Sequence, residues 1–71
     1  MLNTWELISK GESLGFMLVY AGYGKSLAGN LQAFMIDKGL SHLFVIERDS
    51  QDNEKATFNA VIRNGRLSTD R

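Results

Sequence analysis

Phe16-Met17-Leu18-Val19-Tyr20-Ala21, then Gly22-Tyr23-Gly24-Lys25-Ser26, then Leu27 through Gly39: this stretch organises the reading of the whole chain. An apolar run stops at glycines and a helical periodicity begins directly after them, which predicts a strand, a tight loop and the main helix. Within the run Phe16, Leu18 and Tyr20 share one face and Met17, Val19 and Ala21 the other. Both faces are apolar, the pattern of a central strand covered on two sides. The rival is a buried helix from Leu14 to Tyr23; flanking glycines and the Phe, Val and Tyr content favour the strand. In the helix, Ser26 is a natural N-cap and Leu27, Leu31, Phe34 and Met35 form one apolar stripe. Gly39 followed by Leu40 predicts a Schellman end, with Gly39 in the left-handed conformation.

Toward the amino terminus, Asn3 or Thr4 caps a short helix over Asn3 to Lys10, because Leu2, Trp5 and Ile8 recur at three-residue spacing and Gly11 stops it. The alternative there is an opening strand whose alternate residues are Trp5, Leu7 and Ser9. Beyond the main helix, His42 to Arg48 and Ala56 to Arg63 read as an antiparallel hairpin across the polar stretch Asp49 to Lys55, with Phe44 and Ile46 meeting Phe58, Ala60 and Ile62. Asn64-Gly65 is a strong turn dipeptide leading into Arg66-Leu67. Residues 68–71 are expected to fray. The expected fold class is therefore α+β: a small single domain over residues 1–71, in α-β-α-β-β order. Its three-stranded antiparallel or mixed sheet has the helices packed on one face. Pattern alone leaves open whether the first two strands run parallel or antiparallel.

The chain has 71 residues, eight basic and eight acidic side chains, one histidine and no cysteine. Such a length fits one domain of modest stability, without disulfides and without the ligands of a zinc site. Zero net charge supplies no field toward nucleic acid or anionic membrane. No apolar run reaches the roughly 20 residues that span a bilayer, and the first residues lack a secretory signal pattern, so a cytoplasmic setting is expected.

Gly24-Lys25-Ser26 between a strand and a helix invites comparison with a nucleotide-binding P-loop, but Val19 stands where that motif needs glycine, and Leu27 where a dinucleotide fingerprint needs its third. What survives is an anion site at a helix N-terminus, formed by Gly22, Gly24, Lys25 and Ser26. His42 suggests no catalysis: Ser26 or Ser41 with Asp37 match a nucleophilic constellation by residue type only, and adjacent Ser41 and His42 point to opposite strand faces. Asp49, Asp52 and Glu54 lack the spacing of a calcium loop. No cofactor or metal is implied.

Surplus apolar surface is the more telling feature. With helices on one sheet face, Met17, Val19, Tyr23, Leu43 and Val45 remain to be covered by something else. The functional expectation is a small non-catalytic interaction protein of regulator or inhibitor type, paired with itself as a homodimer and binding a further protein. One alternative is a binder of a small anionic ligand at the Gly22-Ser26 loop. Another is a weak nucleic-acid-binding module using a basic patch at Arg63 and Arg66.

Overall fold

The computed structural model describes residues 2–20 and 24–71, with the backbone alone at Tyr20 and over 24–29. Its elements are β1 (Leu2–Ser9), β2 (Glu12–Tyr20), α1 (Gly24–Lys38), β3 (His42–Arg48), β4 (Glu54–Arg63) and β5 (Arg66–Thr69). The five strands form one antiparallel sheet in the order β2-β1-β3-β4-β5. The fold is therefore mostly β with a single short helix, and the expected α+β arrangement of two helices on three strands is corrected.

The correction begins at the amino terminus. Leu2, Trp5 and Ile8 fit a helical spacing, yet Asn3, Trp5 and Leu7 alternate into the core and the segment pairs with β2 on one side and β3 on the other. Strand pairing on both sides over Thr4–Ile8 gives partners to backbone groups that an isolated short helix would leave marginal. Gly11 is not a helix stop. Lys10 (φ 51°) and Gly11 (φ 81°) are the two positive-φ residues of a type I′ hairpin turn between β1 and β2. A bulge follows, with Leu7 opposite Gly15 and Ile8 opposite Ser13, and Gly15 takes φ 120° there.

Because β1 lies between β2 and β3, β2 is an edge strand and not the expected central one. Since β2 and β3 are each antiparallel to β1, they run in the same direction, and α1 connects them across one face of the sheet. The question left open by the sequence is answered: the two strands are parallel but not adjacent.

The helix buries Leu31 and Met35 against Trp5, Leu7, Val19, Leu43, Val45, Phe58 and Ala60. Each such side chain taken from water contributes about 1.5–3 kcal/mol. At its end Leu40 N–H donates to Met35 O (2.9 Å) and Gly39 N–H to Ile36 O (3.1 Å), with Gly39 at φ 68°. That is the Schellman pair expected from Gly39-Leu40. At its start the helix includes Gly24, so Ser26 lies inside the first turn.

The β3–β4 hairpin forms, but Leu43 opposes Ala60 and Val45 opposes Phe58, while Phe44 and Ile46 oppose Asn59 and Thr57. This is a one-residue slip from the expected pairing, and it exchanges the two faces of β3. Asn64 (φ 53°) and Gly65 (φ 74°) make a second type I′ turn into β5. The final residues are tied down: Asp70 N–H donates to Asn59 O, and Arg71 reaches Glu47 at 2.7 Å.

Candidate interaction surface

Alternation along the five antiparallel strands defines two sheet faces, because residues directly opposite each other share a face. The inner face lies under α1. On the other, β2 places Phe16 and Leu18, β1 places Thr4, Glu6 and Ile8, and β3 places Phe44, Ile46 and Arg48. Phe16 and Leu18 are each 67% exposed, the most exposed of the large apolar side chains described. Ile8, Phe44 and Ile46 on the same face are half-buried, with Glu6 between Phe16 and Ile46.

One ion pair crosses this face. Arg48 donates to Glu6 Oε1 at 2.8 Å, and neither side chain is more than a quarter exposed. The hydrogen bond from Arg48, helped by Ser13, holds the Glu6 carboxyl below its ordinary range, and the bond to Glu6 in turn raises Arg48. The two charges neutralise each other inside the apolar field.

The inner face carries its own polar cluster. Glu47, directly opposite Trp5, accepts from Trp5 Nε1 (2.9 Å), Asn3 Nδ2 (2.9 Å) and Arg71 (2.7 Å). Arg71 also lies over the Phe58 ring at 5.1 Å and the Trp5 ring at 5.9 Å, while those two rings meet edge to face at 5.2 Å. Burial raises the Glu47 carboxyl, but the bonds from Trp5 and Asn3 together with the charge of Arg71 outweigh it and the pKa is lowered. A carboxylate so held is a poor proton acceptor and serves as the anchor of the β1–β3 seam.

A groove of about 380 Å³ lies at the far end of the outer face, lined by His42, Asn59, Val61, Arg63 and the end of β5. His42 Nε2 donates to Asn59 Oδ1 at 2.8 Å, and Asn59 Nδ2 donates to Asp70 Oδ2 at 2.8 Å. The amide stands between the carboxylate and the imidazole, and Val61 stands between His42 and Ser68 across the strands. No nucleophile and base are brought together there. Ser26 and Asp37 fall in the first and last turns of α1, about 16 Å apart at the rise of a helix. Asp49 organises its own loop, accepting the N–H groups of Gln51 and Asn53 at 2.9 Å each. Among the described residues no group of three or more His, Asp or Glu is placed to hold a metal, and no helix is long and apolar enough to cross a membrane.

Of the residues expected to bind a partner, Val19, Leu43 and Val45 are in the core and Met17 is packed against it. They lie on the face that α1 covers, so the free apolar face is the opposite one. Tyr23, like Gly22 of the expected anion loop, lies outside the described residues; Gly24, Lys25 and Ser26 form the first turn of α1, and their side chains also lie outside what is described. Arg63 and Arg66, expected as a basic patch, are brought directly opposite each other and are exposed. Phe16, Leu18, Phe44 and Ile46 were missed as a surface. The available signal was their alternation with residues equally apolar, and only the inward pattern of β1 decides between the two sets. No protein-family model, curated protein or solved structure matches the chain.

Proposed function

We propose that the protein is a non-catalytic interaction module of the regulator or inhibitor type, and that it works through the uncovered sheet face centred on Phe16 and Leu18. The observation that carries this reading is the two-thirds exposure of both side chains on the same face as half-buried Ile8, Phe44 and Ile46. Exposed apolar surface of this kind marks binding sites in soluble proteins, and covering each such side chain is worth about 1.5–3 kcal/mol. The Glu6–Arg48 pair supports the same reading, because a neutral pair can be covered without leaving a single buried charge. A chain without cysteine suits a reducing cytoplasmic compartment.

The test is the double variant Phe16→Asp/Leu18→Asp, compared with the parent by light scattering and by capture of partners from host lysate. Loss of association with an unchanged melting temperature is the expected result. Association that survives both charges overturns the reading.

A second reading rests on Arg63 and Arg66. Like charges directly opposite in a hairpin are unfavourable, and neither arginine has a carboxylate within 4.0 Å among the described residues. A phosphate bridging them relieves that repulsion. Retention of an oligonucleotide that falls steeply with salt supports this reading, and no retention at low salt removes it.

A further inference from the structure

The inference rests on the interaction reading above and names its partner, starting from the backbone. The residues flanking a two-residue hairpin turn form a hydrogen-bonded pair, and bonding direction alternates from there along each strand. Counting from the Lys10-Gly11 turn, β1 bonds to β2 through Ser9, Leu7, Trp5 and Asn3, whose β2 partners include Gly15, Met17 and Val19. The N–H and C=O groups of Phe16 and Leu18 therefore point away from β1, to the edge of the sheet. The same counting from Asn64-Gly65 is borne out by resolved bonds. Asp70 N–H donates to Asn59 O, Ile62 N–H donates to Ser41 O, and Leu67 N–H, directed outward, meets Gln32 Oε1 at 3.0 Å.

The two edges thus differ. The β5 edge is short, carries Arg66, and has its outward Leu67 donor capped by α1. The β2 edge is nine residues long, and from Ser13 to Tyr20 it contains no charge and no proline. Sheet edges are ordinarily protected by such devices or by bulges; the bulge of β2 ends at Gly15, and the regular apolar stretch from Phe16 to Tyr20 beyond it is a template for another strand.

We propose that this other strand is β2 of a second copy, paired antiparallel about a two-fold axis at Met17, with Phe16 of each chain hydrogen-bonded to Leu18 of the other. The register follows from two requirements. Opposed residues must share a face, and outward-pointing backbone groups must meet outward-pointing groups. Centring on Met17 meets both and closes the Phe16–Leu18 pairs in both directions, as an isologous interface demands. The product is a ten-stranded sheet with both helices on one side. On the other side, the four most exposed apolar side chains lie together, flanked by the two neutral Glu6–Arg48 pairs.

The test uses the absence of cysteine in the chain. Met17 faces the inner side, so Met17→Cys leaves the outer face intact. In the proposed pair the two copies of residue 17 are a non-hydrogen-bonded pair with Cα atoms about 4.5 Å apart, within the span of a disulfide. Sedimentation should show a dimer for the parent, and oxidation of Met17→Cys should convert most of it to a covalent dimer on non-reducing gels. If Met17→Cys fails to fold, a mixture of Phe16→Cys and Leu18→Cys should cross-link to each other in preference to themselves, since opposed positions are nearer than diagonal ones. A monomeric parent overturns the proposal. So does a dimer that gives no residue-17 cross-link and dissociates on Phe44→Lys, which signals face-to-face packing. A monomer that still captures a host protein through Phe16 and Leu18 defeats this proposal and leaves the interaction reading standing. A dimer indifferent to Phe16→Asp/Leu18→Asp defeats both.

Discussion

At one edge of the sheet β5 runs for four residues, carries Arg66, and has the outward N–H of Leu67 capped by Gln32. At the other edge β2 runs for nine residues and holds Phe16 and Leu18 two-thirds in solvent. The physical difference lies in where the helix sits. Its closest backbone approaches among the described residues are to β4 and β5, and Gln32 adds a hydrogen bond to the latter. Among the described residues the helix covers one sheet face and caps the β5 edge, whereas the β2 edge is free of charge from Ser13 to Tyr20.

The comparison is broken most severely by removing the helix's hold. Leu31 has no exposed surface, and Leu31→Ala should cost about 2–5 kcal/mol, read as a fall in the urea midpoint of unfolding. Urea unfolding within 1 kcal/mol of the parent would show that the helix contributes little and that the guarded edge needs another explanation. A smaller effect is expected at the inner polar cluster. Glu47→Ala strips the Trp5 and Asn3 donors of their acceptor and should cost about 2–3 kcal/mol. Because the folded-state pKa of Glu47 lies below its ordinary value of 4.5, its contribution is complete above that value and is lost as pH falls through the folded one. Glu47→Gln should therefore flatten the acid limb of a stability–pH curve, and an unaltered limb would place the acid sensitivity elsewhere. Smallest is Gln32→Ala, expected to cost about 0.5–1.5 kcal/mol and to speed amide exchange at Leu67 while leaving core amides alone. Unchanged exchange there would remove the cap from the account of the β5 edge.

Much of the architecture was legible in the residues. The carboxyl end of α1 was marked by Gly39-Leu40, the last hairpin by Asn64-Gly65, and β3 and β4 by their composition, each because a local conformation demands particular residues. β1 was not, since Leu2, Trp5 and Ile8 satisfy a helical spacing while Trp5 and Leu7 satisfy a strand, and only pairing with β3, some forty residues away, decides. The candidate surface suffered from the same ambiguity. Along β3, Leu43 and Val45 end in Glu47 while Phe44 and Ile46 end in Arg48, two apolar rows each closed by a charge. Nothing local says which row is inward. Trp5 decides it, because its indole N–H needs the Glu47 carboxylate across the ladder.

That ladder has a kinetic meaning. The β1–β2 hairpin and the β3-β4-β5 meander are each wound from neighbouring residues by tight turns, and they are joined in the sheet by one seam, Thr4 to Ile8 against Phe44 to Arg48. Closing it brings together residues such as Asn3 and Glu47, 44 positions apart. Loop closure over that span must precede any reward, so the two halves form early and the seam sets the rate. Its two polar fasteners, Glu6–Arg48 on one face and Trp5–Glu47 on the other, are among the contacts that this closure brings together.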